Sequence, residues 1–155
     1  MSELKRRLDI MEFTSKSEHA IHGLYYLSNK PIDEVIYVSE IAREQNVSES
    51  YLAKIFQSLA KADLVKSYRG SKGGYTLTRK PQDINLKEVI EAVEGIVPIF
   101  NCSGVKSSCS VSIHCMIQET FSEAEAKMFE VLEGVTMQGI SEQLQGQSIV
   151  IDNNY

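Results

Sequence analysis

Three cysteines, Cys102, Cys109 and Cys115, are separated by six and five intervening residues in one stretch, residues 101–116. Five serines and one glycine share that stretch, so little of it can form a core of its own. Free cysteine normally packs as a small hydrophobe, and a serine-rich loop is a poor place for that. An odd number of cysteines argues against a disulfide framework. Thiolates gathered in one loop are instead soft metal ligands. Zinc favours four ligands, often in CxxC pairs, and no such pair is present. The looser spacing suits an iron–sulfur cluster better, with inert thiols as the alternative. The loop offers no good fourth ligand. His114 lies beside Cys115, and Gln118 lies one helical turn on but suits iron poorly. Glu18 and His22, four apart, share one helix face and read on their own as an ordinary surface pair.

The second chemistry is nucleic-acid contact, in residues 39–78. The pattern is a short helix over 39–45 with Ser39 as cap, a turn at Asn46-Val47, and a second helix capped by Ser48. Leu52, Ile55, Phe56 and Leu59 give that helix one buried stripe. Glu49, Ser50, Ala53, Lys54 and Gln57 are left on its other side, where base edges are met. A strand over 64–69, a glycine-rich loop over 70–74 and a return strand over 75–78 make a basic hairpin, and Pro81 closes the unit. The glycines lack the GK[ST] ending of a phosphate-cradling P-loop. No nucleophile–base set is visible, so the reading is a non-enzyme without a small-molecule substrate.

Charge supports the same division. The net charge is −5 over 155 residues, which taken alone argues against nucleic acid. Yet residues 50–80 hold seven bases and one acid, and residues 119–142 hold six acids and one base. One basic face beside one acidic segment fits a local phosphate contact.

The remaining segments must position these groups. Residues 1–10 are expected to be an extension, with Met11 a natural start. An amphipathic helix is expected over 16–28, from Ala20, Ile21, Leu24 and Leu27. Residues 35–38 are expected to form a short strand against the hairpin. Asn85 and Glu88 make a capping box that opens a helix ended by Gly95. Residues 117–137 read as one long helix, with Phe121, Ala124, Met128, Val131 and Val135 as a seam for a second copy or for the chain's own core. Residues 138–155 read as a polar, fraying end. The fold class is mainly α with a small β-hairpin wing: a winged helix-turn-helix over 11–98, a cysteine loop over 99–116, a dimerisation helix region over 117–144 and a tail over 145–155. There is no apolar run near 18 residues and no secretory h-region, so a cytoplasmic protein without a membrane partner is expected.

Several motifs combine into a resemblance. They are Phe13-Thr14-Ser15-Lys16, Val47-Ser48-Glu49-Ser50-Tyr51-Leu52, Lys61-Ala62-Asp63-Leu64-Val65, the wing Tyr68-Arg69-Gly70-Ser71-Lys72-Gly73-Gly74-Tyr75, and Ile90-Glu91-Ala92-Val93-Glu94-Gly95 before the three cysteines. Over residues 11–144 the chain resembles the bacterial regulator family that includes the iron–sulfur cluster regulator (IscR), the nitric-oxide-sensing repressor (NsrR) and the iron-responsive repressor RirA. The resemblance implies a homodimer on double-stranded, palindromic promoter DNA. It implies that residues 48–57 read the major groove through Ser48, Ser50, Tyr51 and Lys54, with Arg69, Gly70 and Lys72 on the wing. It implies that Cys102, Cys109 and Cys115 hold a 2Fe-2S or 4Fe-4S cluster whose state controls DNA affinity. Gln118 stands where relatives of the biogenesis type carry a histidine. Glu18 matches a carboxylate that other relatives lend from the partner subunit, with His22 as second choice. Ala53 stands where the biogenesis type has a site-discriminating glutamate, so operator preference does not carry over. The rival reading is a cluster-free thiol-switch or zinc-binding winged-helix interaction protein.

Overall fold

The computed structural model describes residues 13–70, 73–96, 98–100 and 115–151, with the side chains of 147–151 left aside. Helix α1 (Ser15–Ser28) starts at Thr14, whose side chain accepts from the Lys16 amide. It buries Ser17, Ala20, Gly23, Leu24 and Leu27. Gly23 is required by packing: a Cβ there would lie 2.7 Å from the Phe56 ring. Helix α2 (Val38–Glu44) begins one residue earlier than expected, and its cap is the backbone of Tyr37, not the Ser39 side chain. The Glu40 and Ile41 amides both donate to the Tyr37 carbonyl, which places Ser39 inside the first turn. The short strand expected over 35–38 is a single bridge, Ile36 to Tyr75, because α2 claims the following residues.

Asn46 takes a left-handed φ of 53° in the turn, a conformation asparagine tolerates. Helix α3 (Glu49–Lys61) follows, capped by Ser48, whose hydroxyl accepts from the Tyr51 amide at 3.3 Å. Strands β1 (Val65–Tyr68) and β2 (Gly74–Leu77) pair antiparallel, Val65 opposite Leu77 and Tyr68 opposite Gly74. Helix α4 (Leu86–Glu94) opens with the expected Asn85–Glu88 capping box and ends at Gly95, whose φ is 89°. One core, including Leu24, Ile41, Leu52, Phe56, Leu64, Ile84, Val89 and Met137, unites these elements.

The C-terminal part differs from the sequence expectation. The single helix over 117–137 is two: α5 (Met116–Glu133) and α6 (Met137–Ile151). Gly134 caps α5, and Thr136 forms a bridge with Asn85. The Leu86 amide donates to the Val135 carbonyl and the Met137 amide to the Ile84 carbonyl, both at 2.9 Å. Those bonds satisfy the backbone that leaves the helix and stop it there. The end expected to fray is helical to Ile151, because Met137 and Ser141 are buried and Ile140 packs on the core. None of the residues of α5 is buried. Among the described residues no helix is long and apolar enough to cross a membrane.

Candidate nucleic-acid interface and metal ligands

The exposed side of α3 carries Glu49, Ser50, Lys54 and Gln57, opposite the fully buried Leu52, Phe56 and Leu59. Ser48 and Ser50 are exposed, with their hydroxyls 3.5 Å apart. Tyr51 is half-buried and packs edge-on to the His19 ring, at 5.5 Å between centroids. His19 Nδ1 lies 2.7 Å from Gln45 Oε1, and Gln45 Nε2 donates to the His19 carbonyl at 3.2 Å. α1 therefore grips both helices of the helix-turn-helix. A second grip lies at the start of α2, where the Tyr26 hydroxyl donates to Glu40 at 2.6 Å and Lys30 lies 3.6 Å from the same carboxylate. That hydrogen bond raises the Tyr26 pKa and lowers that of Glu40.

Arg69 and Gly70 are exposed at the tip of β1. Gly70 has φ 100°, which suits glycine, and a Cβ on Gly74 would collide with the Ile36 carbonyl oxygen. Lys72 lies outside the described residues. Between the hairpin, α3 and the start of α2 runs a cleft of about 570 Å³, with Arg69, Gly70, Glu49 and Gln57 on its walls. Tyr37 and Tyr68 also line it, 44% and 40% exposed. Sequence reasoning placed Gln57 on the exposed face of α3 but missed Tyr37 and Tyr68 as candidates. For Tyr68 the available signal was an aromatic residue at the edge of a basic, glycine-rich hairpin; Tyr37, before α2, carried none.

Of the metal-ligand candidates, Cys115 is half-buried at the N-terminal cap of α5 and makes no capping bond through its side chain. Cys102 and Cys109 lie outside the described residues. Glu18 and His22 are both exposed, one turn apart on α1. Among the described residues, no group of three or more histidine, cysteine or carboxylate side chains that could hold a metal ion forms within the single chain. Beside this region Glu94 Oε1 accepts three hydrogen bonds: from the Thr14 amide at 2.9 Å, the Thr14 hydroxyl at 2.8 Å and the Ser17 hydroxyl at 2.7 Å. Burial pushes the Glu94 carboxyl up, but these bonds and nearby Lys16 outweigh it and hold the group below its ordinary value.

The family model of the Rrf2 iron-dependent transcriptional regulators matches residues 13–143. The chain belongs to the Rrf2 family. It is similar to the HTH-type transcriptional regulator IscR of Aliivibrio salmonicida, 31% identical over 82% of this chain and 75% of that one. It is also similar to the HTH-type transcriptional regulator NsrR of Bacillus licheniformis, 29% identical over 84% of this chain and 92% of that one. Among solved structures it shares its fold with CymR, the global cysteine regulator of B. subtilis, with a TM-score of 0.70 over 86% of this chain and 98% of that one, at 24% identity. This Rrf2 protein is thus a winged-helix transcription regulator that binds DNA, and not an enzyme.

Proposed function

We propose that this Rrf2 protein is a homodimeric, sequence-specific regulator of promoter DNA controlled by an iron–sulfur cluster on Cys102, Cys109 and Cys115. The observation that carries the DNA part is the shared cleft, which sets the exposed face of α3 and the wing Arg69 side by side. Ser48, Ser50, Tyr51 and Lys54 then meet the major groove. Serine reads either base edge or phosphate, and lysine contacts guanine or phosphate. Arg69 and Gly70 enter the minor groove, whose negative potential draws arginine, and Lys72 of the wing adds a further base against the DNA. A second copy on the exposed α5 seam completes a palindrome reader.

The donor set suits the cluster. Cys115 is a half-buried thiol with its sulfur uncommitted to the helix cap, and three cysteines in one loop are soft ligands. Glu18 of the partner copy is the first candidate for the fourth ligand, and His22, one turn on, is the second. Both side chains are exposed, and neither has a side-chain hydrogen bond or ion pair among the described residues. When bound, the cluster supplies a centre sensitive to iron–sulfur status, redox state or nitric oxide. Glu94 ties α1, which carries Glu18, to the end of α4 next to the cysteine loop.

Protein purified without oxygen should be brown, with near-stoichiometric iron and sulfide, and Cys109→Ala should lose both. A protein that stays colourless after reconstitution overturns the cluster and leaves the thiol switch or zinc. Arg69→Ala should abolish the gel shift on a promoter library.

A further inference from the structure

Arg79 belongs to the basic stretch, yet its side chain turns back on its own chain. Nη2 lies 3.0 Å from Glu88 Oε1, and Nη1 donates to the Asp83 carbonyl at 2.9 Å. Glu88 has a second task in the first turn of α4. Its Oε2 accepts from the Asn85 amide at 3.2 Å, closing the capping box. One carboxylate therefore holds both the segment leaving β2 and the start of α4.

The same turn of α4 carries the joint between α5 and α6. Leu86 donates to Val135, and Ile84 accepts from Met137. Next to them Lys87 Nζ lies 3.5 Å from Glu133 and 5.8 Å from the centroid of the Phe129 ring, both on α5. The hairpin and α5 are thus fastened to a single helical turn, from opposite sides of it in sequence.

We propose that the Arg79–Glu88 pair is a positioning joint that sets the half-site spacing accepted by the dimer. This rests on the dimeric reading above. In a two-fold reader the separation of the two half-sites follows from the angle of each reading head on the dimer helix. A pair that locks wing to α4, where α5 is also anchored, fixes that angle. Loosening it removes no DNA contact but lets each head swing, so operators of altered spacing are accepted. Arg79 is then a positioning residue and not a phosphate contact, unlike the exposed Lys54, Lys66, Arg69 and Lys80.

The test uses the full-length chain and a palindromic duplex that the wild type selects from a random library, together with duplexes whose half-sites are moved by one base pair either way. Fluorescence anisotropy gives the affinity for each spacing and its dependence on salt. Glu88→Gln keeps a residue that can close the capping box, and Arg79→Ala removes the other partner. Both should flatten the spacing preference by about three- to fivefold, the size of a partly exposed ion pair, with the salt slope unchanged. Arg79→Lys, which keeps a charge, should restore part of the preference. A merely structural pair would lower the melting temperature and leave the preference intact, and that result overturns the proposal. So does a salt slope that falls by about one phosphate contact in Arg79→Ala alone. If the wild type selects no duplex, the DNA reading itself falls and the joint falls with it.

Discussion

Helices α3 and α5 carry the same kind of apolar stripe and meet opposite fates. α3 has 13 residues and buries Leu52, Ile55, Phe56 and Leu59. α5 has 18 residues and buries none; Phe121 is 40% exposed and Val131 68%. Part of the α5 face is covered by its own chain, where Phe100 stacks on Phe121 at 4.2 Å and the Ile99 amide donates to Glu125. Met128, Phe129 and Leu132 are half-buried, and Phe121, Ala124 and Val131 remain exposed. A periodic stripe announces that a helix face is apolar and says nothing of which chain covers it. The reading head holds its helix with its own core, whereas α5 leaves much of its stripe exposed, as the proposed dimer requires.

The sharpest break in that comparison is Phe56→Ala. Phe56 is fully buried, touches Gly23 of α1 and packs at a 53° tilt on Tyr75 of β2, with ring centroids 4.8 Å apart. Removing it empties the centre of the head and should cost about 3–5 kcal/mol in chemical denaturation. The counterpart on α5 is Val131→Glu. Denaturation of the isolated chain should change by about 0.5 kcal/mol or less, as for an exposed site. Sedimentation should instead show a monomer, and operator affinity should fall roughly 100-fold as the second half-site is lost. A Val131→Glu protein that stays dimeric would refute the assignment of α5.

The same contrast explains what was legible in the sequence. The head was readable because its signals are local and agree: a serine cap at Ser48, a capping box at Asn85 and Glu88, and a stripe of four apolar residues in α3. The start of α2 was misread by one residue, because the Tyr37 carbonyl opens the helix where a serine side chain was expected. The break after Glu133 was missed because its cause is distant. Val135 sits at seam spacing, but Ile84, Asn85 and Leu86, about 50 residues away, capture that backbone. Arg79 likewise reads as one more base on the DNA face until Glu88 is seen to hold it. The wing arginine and the exposed face of α3 were readable as candidates from type and spacing. Tyr37 and Tyr68 were not, because they come from two elements about 30 residues apart that only the fold brings to one cleft.

A smaller effect separates the cap of α3 from its stripe. Ser48→Ala removes the hydroxyl that accepts from Tyr51 at 3.3 Å and should cost about 1 kcal/mol of stability. Because Ser48 also lies at the proposed groove-facing end, operator affinity should fall further than stability alone predicts. Comparison with Ser48→Asp, which restores the cap but adds a charge facing phosphate, separates the two roles. Stability should recover and DNA affinity should not.

The smallest effect falls at Glu94, where the head meets the end of α4 near the cysteine loop. Its carboxylate, held below the ordinary value of 4.5, contributes stability that is present above that value. The contribution is lost as pH falls through the lower folded value, where the carboxylate takes up its proton. Glu94→Gln keeps the shape and removes the charge that favours three donated hydrogen bonds. At pH 7 its melting temperature should lie a few degrees at most below the wild type. The gap should close on acidification, because the wild type then carries a neutral acid at the same place. A gap that stays constant down to low pH would mean that the group does not titrate with folding. The tie between α1 and α4 would then rest on the three hydrogen bonds from Thr14 and Ser17 alone, whatever the charge of their acceptor.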